Sequence, residues 1–168
     1  LLTLVFNLRR LLMKARMKIL YICTHNRCRS ILSEAITNSI ASDVIDAKSA
    51  GSQPVGEVHP LSLKYLKQTG HSIENLQSQS WDDFESFEPD VVVTVCDSAA
   101  NETCPVYFGN SVKVHWGLSD PSKITGDESE IETAFLVCID EIVKRVHKLK
   151  DIAEQDLNKT ELKAALAA

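Results

Sequence analysis

The chain has 168 residues, 44% of them hydrophobic, enough for one domain with a real core and too few for two. A formal charge of −5 disfavours a general nucleic-acid surface, because counterion release needs clustered basic residues. Five cysteines, an odd number, argue against a secreted disulfide framework and fit free thiols kept reduced in a cytoplasm. The spacings Cys23-x4-Cys28 and Cys96-x7-Cys104 are not the short knuckle pairs that zinc prefers.

Residues 1–16 open on the apolar run Leu1-Leu2-Thr3-Leu4-Val5-Phe6, but Arg9 and Arg10 interrupt it and no small-residue cleavage site follows. The segment therefore reads as neither a secretory signal nor a membrane span, and is expected to be an extension upstream of a domain covering 17–150. Lys18 to Ile22 is a buried strand. Immediately behind it stands the run Cys23-Thr24-His25-Asn26-Arg27-Cys28-Arg29-Ser30, a Cys-x5-Arg segment leading into a helix marked by Ile31, Leu32, Ala35, Ile36 and Ile40. Such a segment can wrap its backbone N–H groups around a tetrahedral anion, with the helix N-terminus adding positive potential. The same cradle favours the thiolate of Cys23, a nucleophile at neutral pH. Arg29 offers a planar fork for two oxygens, and the Ser30 hydroxyl a donor to the sulfur. Thr24, His25, Asn26, Arg27, Cys28, Arg29 and Ser30 are thus the expected oxyanion-binding residues. His25 is expected to face solvent.

Further along, a short strand is expected near Val44 to Lys48, closed by Ser49-Ala50-Gly51, then a helix over 57–69 with Val58, Leu61 and Tyr65 on one face and Gly70 as its stop. Val91 to Val95 is a continuous β-branched run, the signature of a strand covered on both faces, and Val112 to His115 makes a fourth. A helix from about Ser129 to Lys150 carries the stripe Ile131, Phe135, Cys138, Ile142 and Val146, so Cys138 reads as core packing. Residues 151–168 form a polar, then Ala-rich tail, helical or frayed. The alternation implies a single α/β domain with a four-stranded parallel sheet and helices on both faces.

Cys23 and Cys96 both fall at carboxyl ends of strands, where an open parallel sheet binds its ligands. Cys104 lies on the polar, turn-rich segment that ends at Pro105, so a pocket cysteine is paired with one on a loop able to move. With Glu34-Ala35, Ser49-Ala50-Gly51, Val93-Thr94-Val95-Cys96, Cys104-Pro105 and His115-Trp116-Gly117-Leu118-Ser119-Asp120-Pro121, these pieces resemble the arsenate reductases built on the low-molecular-weight tyrosine phosphatase fold, over roughly Met17 to Leu149.

The resemblance implies a three-cysteine reduction. Cys23 attacks arsenate, Arg29 and the loop amides hold its oxygens, and Asp120 protonates the departing oxygen. Cys96 then attacks Cys23, and Cys104 attacks Cys96, carrying the disulfide to a reduced thioredoxin or to glutaredoxin with glutathione. It implies no bound cofactor, and phosphate or sulfate as competing oxyanions. The segment between Cys96 and Cys104 is one residue longer than is common in thioredoxin-coupled members. Some members bind potassium through residues matching Asn26, Glu34 and Ser49, but the stretch Gln77 to Trp81 lacks their aspartate, so no metal is assigned. Two rival functions share the loop. A tyrosine phosphatase would use Cys23, Arg29 and Asp120 without Cys96 or Cys104, but Ser122-Lys123 stand where it usually has aromatic residues; a non-catalytic oxyanion or redox sensor would use Cys23 and the Cys104 loop without turnover.

Overall fold

The computed structural model describes residues 15–168. Apart from Ala15 and Arg16, the reading of 1–16 as an upstream extension falls outside the described residues. Four parallel strands, β1 (Met17–Ile22), β2 (Ile45–Ala50), β3 (Val91–Thr94) and β4 (Val112–His115), form one sheet in the order β2-β1-β3-β4. Ile19 to Ile22 and Val91 to Val93 are all fully buried, which requires cover on both faces of the two central strands. Along the edge strand β2, Ile45, Ala47 and Ser49 are buried while Lys48 points to solvent, the period-2 pattern of a half-exposed strand.

Helix α1 (Arg29–Ala41) packs against β1, β2 and the long helix α4 (Glu128–Glu154). Its Asn38 side chain bridges to the edge strand, donating to the Ala47 carbonyl at 3.0 Å and accepting the Ala47 amide at 3.2 Å. Polar side chains inside this helix are satisfied locally: Ser33 donates to the Arg29 carbonyl, and Thr37 donates to the Ser33 carbonyl and meets the Tyr21 hydroxyl at 2.7 Å. Phe135 of α4 stacks on Tyr65 at 5.0 Å between ring centroids, joining α4 to α2 (Pro60–Gln68).

Element boundaries differ from the sequence reading for identifiable reasons. Helix α2 begins at Pro60 rather than at 57, because the His59 ring nitrogen Nδ1 accepts the Leu61 amide and Pro60 stands in the first turn, where its missing N–H costs nothing. Strand β2 extends to Ala50 because it pairs with β1 up to Ile22. Helix α4 starts one residue early on a capping box between Asp127 and Glu130, and runs on to Glu154. The tail holds a further helix, α5 (Lys159–Ala167), capped by Asn158, with Leu162 and Leu166 packed against the core. No helix among the described residues is long and apolar enough to cross a membrane.

Candidate active site

The register places the two strand-end cysteines side by side. Ile22 pairs with Thr94, and the Val95 amide donates to the Ile22 carbonyl at 3.0 Å, so Cys23 and Cys96 leave adjacent strands at the same edge. Both are buried and both line one cleft of about 320 Å3 with Thr24, His25, Arg27, Cys28, Arg29 and Asp120. Cys96 caps α3 (Asp97–Ala100), its sulfur accepting the Ala99 amide at 3.4 Å and standing 3.9 Å from the Thr24 hydroxyl. Cys104, half-buried, is not among the residues lining this cleft.

The loop from Cys23 to Ser30 is built with its carbonyls outward. Thr24, His25, Arg27 and Cys28 carbonyls accept from the Gln53, Val55, His59 and Leu32 amides, whereas no acceptor among the described residues takes the amides of Thr24 to Arg29. No side chain caps the first turn of α1. Converging free amides at a helix N-terminus are an anion nest. The turn depends on Asn26, which adopts a φ of 47° that only short polar side chains tolerate at modest cost. Its amide locks the shape: Oδ1 accepts the Gln79 amide at 2.8 Å, and Nδ2 donates to Ser30 at 2.8 Å and to Ser49 at 3.0 Å. Gly51 completes it. A Cβ there would lie 2.5 Å from the Thr24 carbonyl oxygen and 2.9 Å from that of Cys23, so only glycine lets β2 approach the loop.

Ser30 lies 2.9 Å from the Cys23 sulfur. The Arg29 guanidinium donates to the Leu118 carbonyl at 2.8 Å and reaches Asp120 Oδ2 at 3.3 Å, which ties the loop to the segment carrying the acid. The other Asp120 oxygen accepts the Ser122 amide and hydroxyl at 3.0 and 2.6 Å. Burial pushes the Cys28 thiol up to about 12 and the Cys138 thiol up to about 11, so neither competes as a nucleophile. Cys138 packs with its sulfur 4.0 Å from the Ser119 carbonyl. His25 is exposed at the cleft.

The residues matching a potassium set do converge, but they do not fit a cation. Asn26 turns its NH2 group toward Ser30 and Ser49, Ser49 donates to Glu34 at 2.9 Å, and the Gln79 backbone amide fills the remaining side. Burial raises the Glu34 carboxyl to about 7, so the site is closed by a hydrogen-bond chain with a carboxyl half in its neutral form near neutrality. Among the described residues no group of three or more His, Cys, Asp or Glu is placed to hold a metal. His59, Ser98 and Glu102, which the sequence reading does not assign to the site, also line the cleft, as do Ser122 and Lys123 beside Asp120. A helix start at 57 hides His59; the His-Pro step before a helical stripe is the signal that marks it as a cap.

A buried thiol at the end of a parallel strand, loop amides without acceptors among the described residues and an arginine braced by an acid are set at one edge of a phosphatase-like α/β fold. The chain belongs to the low molecular weight phosphotyrosine protein phosphatase family, whose model matches residues 18–163. It is 37% identical over 128 residues to an arsenate reductase of Halalkalibacterium halodurans, covering 76% of this chain and 91% of that one. It is 36% identical over 138 residues to an arsenate reductase of Bacillus subtilis, covering 82% and 96%. A solved thioredoxin-dependent arsenate reductase of Corynebacterium glutamicum superposes with a TM-score of 0.65 at 25% identity, over 89% of this chain and 71% of that one.

Proposed function

We propose that this protein reduces arsenate to arsenite through Cys23, Cys96 and Cys104, drawing electrons from a thioredoxin-like dithiol protein. The observation that carries the reading is that two strand-end thiols, Cys23 and Cys96, are buried in one cleft lined by Arg29 and Asp120, where hydrolysis of a phosphate through Cys23 would call for one. The named relatives point the same way.

In this reading the loop amides and Arg29 take the arsenate oxygens, and the Cys23 thiolate attacks arsenic(V). One oxygen departs as water after accepting the proton of Asp120, leaving a Cys23–arsenic bond. Arg29 would have to release Leu118 or share its fork to hold the anion. Cys96, as thiolate, then attacks the Cys23 sulfur. The sulfur–arsenic bond breaks with its electron pair moving to arsenic, which departs as arsenite, and the Cys23 and Cys96 thiolates, having given up two electrons between them, are left joined as a disulfide. Cys104 attacks Cys96 next, expelling Cys23 as thiolate and moving the disulfide to the segment 96–104, where an external dithiol reduces it. No resident cofactor takes part.

Arsenite formation measured with thioredoxin, and separately with glutaredoxin and glutathione, tests the reading on the wild type, Cys96→Ser and Cys104→Ser. The expected result is sustained turnover by the wild type, none by Cys96→Ser, and a single turnover by Cys104→Ser with the Cys23–Cys96 disulfide trapped. Multiple turnovers by either variant with thioredoxin would remove the relay. Hydrolysis of an aryl phosphate with no arsenite formed would favour the phosphatase instead.

A further inference from the structure

The cleft contains a carboxylate that an anion site has no general reason to hold. Glu102 lies between Cys96 and Cys104, is half-buried, and lines the same cleft as Cys23, Arg27 and Arg29. Its Oε1 accepts the hydroxyl of Thr24, the residue next to Cys23, at 3.0 Å. The second carboxylate in the cleft, Asp120, has both oxygens engaged, one by Arg29 and one by Ser122. Glu102 differs: among the described residues no hydrogen bond reaches its Oε2, and no Lys or Arg forms an ion pair with it.

A carboxylate has only lone pairs to offer. Toward any oxyanion it presents like charge, and toward one that has lost every proton it presents an unmatched acceptor as well. Toward an oxyanion that keeps a hydroxyl it accepts a charge-assisted hydrogen bond, among the stronger kinds available. Arsenate and phosphate keep at least one hydroxyl at neutral pH, and sulfate keeps none. Placing an acceptor in the cleft therefore builds a repulsive element against one tetrahedral anion and an attractive one for the others, the two-sided logic of a specific site.

We propose that Glu102 is a specificity-determining residue that admits hydroxyl-bearing oxyanions, arsenate and phosphate, and rejects fully deprotonated ones such as sulfate. The inference rests on the reading of the cleft as an oxyanion site. It narrows the competitors expected from the sequence to phosphate, with sulfate a poor one. Because Glu102 rides on the segment that joins Cys96 to Cys104, the filter is attached to the relay itself.

The test is calorimetric titration of the reduced full-length protein with inorganic phosphate and with inorganic sulfate at matched ionic strength, for the wild type, Glu102→Gln and Glu102→Asp. The wild type is expected to prefer phosphate by roughly tenfold or more, the scale of one charge-assisted hydrogen bond. Glu102→Gln keeps an acceptor for Thr24 but removes the charge and adds a donor, so sulfate should gain about tenfold relative to phosphate. Glu102→Asp, which keeps the charge, should retain the preference for phosphate. Equal affinities in the wild type, or an unchanged ratio in Glu102→Gln, would overturn the proposal. These outcomes separate from those of the reductase assay: arsenite production with equal phosphate and sulfate binding sinks only the filter, whereas a Glu102-dependent phosphate preference without arsenite production sinks only the reductase.

Discussion

The Ser30 hydroxyl sits 2.9 Å from the Cys23 sulfur while its oxygen accepts the Asn26 amide at 2.8 Å. Asn26 takes one of the two lone pairs of Ser30 and leaves its proton free to give, and the Cys23 sulfur stands within reach of it as acceptor. That bond strengthens whenever Cys23 carries negative charge, both as the attacking group and as the thiolate expelled by Cys104. Ser30→Ala should therefore slow single-turnover arsenite formation by about 10- to 100-fold, the range for a lost hydrogen bond to a charged group. Rates equal to wild type would mean that the contact only packs.

In the proposed reduction Asp120 has two jobs: it braces Arg29 within the cleft and supplies the proton that the departing oxygen takes. Asp120→Asn keeps a side-chain oxygen for Ser122 but cannot deliver a proton in the same way. A fall of about 10²- to 10⁴-fold in kcat with retained phosphate binding is expected. Loss of phosphate binding in step with kcat would instead assign Asp120 to bracing alone.

Gly51 is the close-approach point between the end of β2 and the Cys23–Ser30 loop. Gly51→Ala drives a methyl group into the Thr24 and Cys23 carbonyl oxygens, backbone atoms that cannot step aside without reshaping the nest. A loss of about 1–3 kcal/mol in denaturant unfolding is expected, with phosphate binding weakened by more than the stability change alone would produce. Wild-type phosphate affinity in a folded Gly51→Ala protein would show that the nest tolerates the displacement.

Glu34 gives a pH signature of its own. Burial raises its carboxyl from an ordinary 4.5 to about 7, with the Ser49 bond opposing the rise. The folded protein therefore holds a proton that the unfolded chain has already lost. This contribution is complete below about pH 4.5 and declines as the pH climbs through about 7, by roughly 3 kcal/mol in all. Glu34→Gln keeps an acceptor for Ser49 and has nothing to ionise. Urea midpoints measured from pH 5 to 8 should fall with pH in the wild type more steeply than in the variant, and the variant should be the more stable protein at pH 8. Parallel curves would locate the titrating group elsewhere.

Much of the scaffold can be read along the chain because its causes are local. Val91 to Val93 announce a doubly covered strand by being β-branched without interruption, Phe135 and Ile142 mark the buried stripe of a helix by their spacing, and Cys-x5-Arg behind Lys18–Ile22 marks the loop. Errors fall at ends, where a cap decides: His59 and Pro60 move one helix start, Asp127 with Glu130 another.

From residue order alone came the class of fold and the Cys-x5-Arg loop between a strand and a helix, since alternation, helical spacing and loop length act between near neighbours in the chain. The placing of Cys96 beside Cys23, the seating of Asn26 on Ser49 and Glu34, the need for glycine at 51 and the carboxylate of Glu102 against Thr24 arise from the strand order β2-β1-β3-β4. That order sets which strand ends become neighbours, and a contact between residues tens of positions apart leaves no periodic trace in either segment.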